Sequence, residues 1–196
     1  VASLSDCGAS TGMITSSAGA GTLAINNTSP NTYSGTITDQ STVNNTSGLA
    51  LVLQGSSNVT LSGSNSFTGG TTLVSGNVTA ASNYALGNPT SQNANAGLTF
   101  NNSGSANAFF TSANPQVASL NNGPSETGPA NIILGNTANG GSSTTLIIGG
   151  GGSAQTFAGD IFSGTISDLS GPAATAFGNL EIIDGAFVEL MGVNTF

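Results

Sequence analysis

Only eight side chains in this 196-residue sequence carry a charge, and all eight are carboxylates. They are Asp6, Asp39, Glu126, Asp160, Asp168, Glu181, Asp184 and Glu189, five of them between residues 160 and 189. Paired carboxylates can hydrolyse a glycosidic bond without help from a basic residue, so this cluster is the candidate centre of a polysaccharide hydrolase. The spacing argues against it. In Glu181-Ile182-Ile183-Asp184 the two acids are three apart, which in a strand puts them on opposite faces unless a turn intervenes. Solvated surface acids are the simpler reading, and no catalytic residue is assigned. No Gly-Gly-x-Gly-x-Asp or EF-hand spacing occurs, so neither a metal nor a cofactor is expected.

Other chemistries fail for want of partners. The chain has no Lys, Arg or His, so its many serines lack the base that a nucleophile needs. One cysteine, Cys7, permits no internal disulfide and no zinc cluster; a thiol without a role is the simpler reading, and a bond between subunits is the alternative. Gly149-Gly150-Gly151-Gly152 is followed by Ser153-Ala154-Gln155, not by the Lys of a phosphate-binding loop, and reads as a turn. A net charge of −8 excludes nucleic acid and anionic membrane surfaces, whose affinity comes from cations. No apolar stretch approaches the ~20 residues that span a bilayer, and the sequence contains no basic n-region or apolar h-region, so a secretion signal is expected to have been removed or to lie outside it. Asn-x-Ser/Thr sequons begin at Asn26, Asn27, Asn44, Asn45, Asn58, Asn77 and Asn101, about the number that chance supplies in a chain so rich in Asn, Ser and Thr. Glycans therefore stay open as partners.

The elements that would position such residues read as short strands. With 37% of residues hydrophobic and 4% charged, the composition is opposite to that of a disordered chain. Helical periodicity is nearly absent, residues 80–86 being the best helical stretch. Period-two alternation marks Leu23-Ala24-Ile25, residues 49–53, Val59-Thr60-Leu61, Leu98-Thr99-Phe100 and Val188-Glu189-Leu190, while Ile132-Ile133-Leu134 and Leu146-Ile147-Ile148 read as buried strands. Gly, Asn and Pro turns separate them. The expectation is an all-β fold.

Internal repetition sharpens it. Residues 51–67, LVLQGSSNVTLSGSNSF, align without gaps on residues 180–196, LEIIDGAFVELMGVNTF, matching Leu51 with Leu180, Val59 with Val188, Leu61 with Leu190, Gly63 with Gly192, Asn65 with Asn194 and Phe67 with Phe196. Asn31-Thr32-Tyr33-Ser34-Gly35 and Gln155-Thr156-Phe157-Ala158-Gly159 echo the end of this unit, giving copies near 21–35, 51–76, 155–161 and 180–196 of one domain over 1–196. The turn and ladder positions are Asn31, Tyr33, Gly35, Gly63, Asn65, Phe67, Gly69, Gly192, Asn194 and Phe196. Gly would relieve backbone strain there, and Asn would bond to its counterpart one rung away. Rungs of ~20–25 residues predict eight or nine coils.

The stretch from Val59 to Gly76, VTLSGSNSFTGGTTLVSG, resembles the autotransporter-associated β-strand repeat, and Ala81-Ser82-Asn83-Tyr84-Ala85-Leu86-Gly87 resembles the segment that follows it. The resemblance covers roughly residues 19–87 and 155–196. It implies a right-handed parallel β-helix, or β-solenoid, from a secreted bacterial surface protein. Family repeats carry a Lys before the first Gly, where this chain has Gln54-Gly55 and Asp184-Gly185. The function expected is a non-enzymatic extracellular stalk or filament segment supporting adhesion or self-association. Its partners would be other cell-surface molecules or further copies joined end to end through Cys7, Val1 and Phe196. A head-to-tail filament subunit is the alternative.

Overall fold

The computed structural model describes residues 1–6, 12–16, 20–39, 48–89, 97–135, 143–150, 160–168, 178–184, 186 and 188–195. Every regular element among them is a strand. Each run of alternating sequence named above lies in one, because a pleated backbone sends successive side chains to opposite faces. The burial of Leu49–Gly55, Ala106–Phe110, Ala130–Leu134 and Thr144–Ile148 alternates accordingly. All the strand pairings are parallel.

The strands stack in three columns. The first contains β2 (Gly21–Asn27), β5 (Leu49–Gly55), β7 (Thr71–Leu73), β9 (Leu98–Phe100) and β12 (Leu120–Asn122), hydrogen-bonded in that order. Against β12 lies β15 (Asp160–Phe162), which pairs with β18 (Val188–Leu190). The second column runs β3 (Asn31–Tyr33), β6 (Asn58–Leu61), β8 (Gly76–Ala80), β10 (Ala106–Phe110), β13 (Ala130–Leu134) and β16 (Thr165–Asp168). The third begins with β1 (Met13–Ser16) on β4 (Thr36–Asp39) and ends with β11 (Gln116–Val117), β14 (Thr144–Ile148) and β17 (Gly178–Ile182). Single backbone bonds join its two parts: Ser66 N–H donates to Ile37 O at 3.0 Å, Asn65 N–H to Tyr84 O at 3.1 Å and Gln116 N–H to Asn83 O at 2.9 Å. From β2 onward the chain visits first, second and third columns in turn, and each return to the first or second column adds a strand beside the last.

Inward-facing side chains of all three columns form one apolar core that includes Ile25, Leu51, Leu61, Phe67, Phe100, Phe110, Ile132, Leu146 and Phe162. Phe100 and Phe162 are tilted neighbours, with ring centroids 5.5 Å apart. Nearly charge-free, the described chain is held by apolar burial and by backbone and amide hydrogen bonds, which moderate salt leaves largely intact.

Two expectations need correction. Residues 80–86 are not helical: β8 ends at Ala80, and turns follow in which Ala85 N–H bonds Ser82 O and Gly87 N–H bonds Tyr84 O. The rung length is also uneven. Residues paired in register across hydrogen-bonded strands lie between 19 and 34 positions apart, not a uniform 20–25, and the longest hydrogen-bonded sheet among the described residues has six strands. Parallel pairing fixes the register of the strands only. Loop-closure cost rises slowly with length, so connections between passes are free to vary. The Gln155–Gly159 echo, Cys7 and Phe196 lie outside the described residues.

Candidate functional site

The structure concentrates its specific interactions between passes, where side-chain amides join one strand to the next. Asn65 is buried, and its Oδ1 accepts from Ile37 N–H, 28 residues earlier, at 2.8 Å. Its Nδ2 donates to Ala85 O, 20 residues later, at 2.6 Å. A single asparagine thus ties three consecutive passes. Asn194, its partner in the sequence repeat, does half of this: its Oδ1 accepts from Ile166 N–H, again 28 residues earlier, at 3.0 Å. Its Nδ2 turns back to Gly192 O at 2.9 Å. Asn31 works within one turn, donating to Asn27 Oδ1 at 2.7 Å and Ser29 O at 2.9 Å. Buried Asn27 in turn donates to Asn58 O at 2.8 Å, in the next pass.

Sequence repetition places Gly63 and Gly192 alike, and the structure supplies the reason. A Cβ on Gly63 would overlap Gly35 O, and a Cβ on Gly192 would overlap Gly164 O, each closer than 3.0 Å. Gly35 is itself stacked on Gly12 O and Gly164 on Ala130 O. These corners bring backbone against backbone, which only a residue without a side chain permits. Beside these corners an aromatic ring is buried, Tyr33 on β3 of the second column and Phe162 on β15 of the first. The Tyr33 hydroxyl donates to Gly12 O at 2.8 Å, whereas Phe162 has no such group. Burial, and secondarily the Asp6 charge, push the Tyr33 phenol above its usual range. Phe67 is fully buried, and a Cβ on Gly69 would meet the backbone of Leu49 and Ala50.

Sequence reasoning missed a second match and one ladder. Ser34-Gly35-Thr36-Ile37-Thr38-Asp39 matches Ser163-Gly164-Thr165-Ile166-Ser167-Asp168 almost letter for letter, and Gly35 and Gly164 each stand between two strands at a corner. The ladder runs up the outer face of the second column. Asn107 Nδ2 donates to Asn77 Oδ1 at 2.7 Å, Asn131 Nδ2 to Asn107 Oδ1 at 2.8 Å and Thr165 Oγ1 to Asn131 Oδ1 at 2.7 Å. In-register parallel pairing stacks these residues, so each amide meets its neighbour. Its trace in the sequence is small-Asn-apolar in Gly76-Asn77-Val78, Ala106-Asn107-Ala108 and Ala130-Asn131-Ile132.

Asp6 accepts from Ser34 N–H through both oxygens, at 2.9 and 3.0 Å, and that bond holds its carboxyl below the usual range. Asp39 Oδ2 accepts from Leu49 N–H, Thr68 N–H and the Thr68 hydroxyl at 2.8–2.9 Å. Glu126 is half-buried. Glu181, Asp184 and Glu189 are exposed, and Asp184 occupies a turn in the left-handed region with φ 56°. Asp160 and Asp168 lie on β15 and β16. Among the described residues no three Cys, Asp or Glu side chains gather as metal ligands would. Gly149 and Gly150 have φ of 122° and 101°, the geometry of a tight turn. The Val1 amine donates to Ala24 O at 2.6 Å, and Asn26 N–H donates to Val1 O at 2.9 Å.

Comparison of the chain with protein-family models, curated proteins and solved structures finds no match.

Proposed function

We propose that the chain is a right-handed parallel β-helix with a non-enzymatic, extracellular structural role, as a segment of a surface stalk or filament. The observation that carries this reading is the investment of polar side chains in joining one pass to the next. Asn65 and the Asn77–Asn107–Asn131–Thr165 ladder bind passes together. Right-handed winding accords with the strong preference of parallel crossovers for that hand. The resemblance of residues 59–76 to the autotransporter-associated repeat supports a bacterial surface origin. A backbone cohesion that needs no salt bridge suits an environment of uncontrolled ionic strength.

Seven strands of the first column, at ~4.8 Å each, span about 30 Å. Electron microscopy of native material, with antibody to this chain, tests the role. Labelled rods or fibres outside the cell, with strands stacked along their axis at ~4.8 Å, are expected. Depolymerisation of a polysaccharide that is lost in Asp184→Asn or in Glu181→Gln would overturn the reading in favour of a hydrolase.

A further inference from the structure

The outer face of the second column sets an apolar pair beside a rank of amides, in the middle of the stack. In-register pairing of β8, β10 and β13 places Asn77, Asn107 and Asn131 in one outward rank and Thr79, Phe109 and Ile133 in the next, two residues along each strand. All six are half-buried, while the alternate residues Val78, Ala108 and Ile132 fill the core. Phe109 departs from the use of rings elsewhere: Phe67, Phe100, Phe110 and Phe162 are fully buried, yet Phe109 stands on the outer face with Ile133 beside it. Strand formation alone does not ask for a ring there, since Thr79 fills the same register position one pass earlier.

The neighbouring amides are held in place but not used up. Asn107 Nδ2 donates to Asn77 Oδ1 at 2.7 Å and Asn131 Nδ2 to Asn107 Oδ1 at 2.8 Å. An amide nitrogen carries two N–H groups, so Asn107 and Asn131 each keep one. The ladder fixes these donors in one orientation about one strand spacing, ~4.8 Å, apart, which reduces the ordering cost of engaging them. No charged residue occurs in β8, β10 or β13.

We infer that this face binds a neutral polysaccharide, a sugar ring lying against Phe109 and its hydroxyls accepting from the Asn107 and Asn131 amides. A pyranose has an apolar C–H face rimmed by hydroxyls, which matches an aromatic ring flanked by free amide donors. Neutrality follows from the charge of the chain, since a net −8 without a single Lys or Arg repels an anionic polymer. A peptide strand fits less well: β8, β10 and β13 are paired on both sides, so no open edge receives it. Two apolar side chains are also too few for a lipid surface, which takes a whole apolar face. The inference adds a ligand to the extracellular role proposed above and rests on that role only for where the polymer is met.

Native gel electrophoresis of the full chain tests it, with hydroxyethyl cellulose, xylan, galactomannan or dextran cast in the gel and polygalacturonate as the anionic comparison. At least one of the four neutral polymers is expected to retard the chain, and polygalacturonate is not. Phe109→Thr, which copies the residue one pass earlier, is expected to keep the β circular dichroism of the parent and to weaken binding about tenfold. Thr99→Ala, on the outer face of the first column, is expected to bind as the parent does. Migration of the parent unchanged by all four neutral polymers would overturn the inference. Equal retardation of parent and Phe109→Thr would also overturn it, by showing that the polymer sits elsewhere. Either result leaves the stalk or filament reading standing, because labelled rods outside the cell do not depend on a sugar.

Discussion

Replacing Asn65 by Ala tests the claim that one buried amide couples three passes. The substitution removes two hydrogen bonds, from Ile37 N–H at 2.8 Å and to Ala85 O at 2.6 Å. It leaves both backbone groups without partners at a site where Asn65 is 1% exposed. A buried polar group deprived of its partner costs about 1–3 kcal/mol, so the loss of two should total about 2–6 kcal/mol. Asn194→Ala is the internal control. It gives up one bond between passes, at 3.0 Å, at a half-buried position, and should cost about 1 kcal/mol. With a urea slope of about 2 kcal/mol/M, the Asn65 variant should unfold at least about 1 M earlier than the parent, and the Asn194 variant about 0.5 M earlier. Far-ultraviolet circular dichroism reads both. Because stacked repeats can fray from their ends, the midpoint of the main transition is the quantity to compare. Equal shifts, or a smaller shift for Asn65→Ala, would refute the reasoning that Asn65 is the interior version of a connector left half-used at Asn194.

Two further outcomes follow from contacts already described. Gly63→Ala must push a Cβ into Gly35 O, and overpacking of this kind costs about 1–3 kcal/mol. Nothing lies within 4 Å of a Cβ on Gly104, so Gly104→Ala should stay within about 0.5 kcal/mol of the parent; thermal melts that rank the two equally would contradict the corner stack. Asp6 governs the acid response of the first pass. Its folded-state pKa is depressed by the Ser34 N–H, so its stabilisation is fully present above the unfolded value near pH 4 and is lost as pH falls through the lower folded value. Proton exchange at Ser34 should therefore gain an acid-dependent opening below about pH 4 that Asp6→Asn lacks, and identical pH profiles for parent and variant would sink the assignment.

The sequence by itself determined the all-β character and most strand positions. Alternation of apolar and polar residues acts locally, and a strand displays it wherever it pairs. It also determined Gly63, Asn65, Gly192 and Asn194 as equivalent, because each corner makes the same demand on its own few residues. It excluded His-, Lys- and zinc-based chemistry through composition alone. Three things waited for the tertiary structure. Residues 80–86 had helical composition, but parallel neighbours took their backbone groups, and turns resulted. The uneven offsets between paired strands could not be counted from a repeat length, since loops of any length return a strand to the same register. The Asn77–Asn107–Asn131–Thr165 ladder was invisible because its members are unequally spaced along the chain, at 30, 24 and 34 residues. Only parallel stacking makes them neighbours.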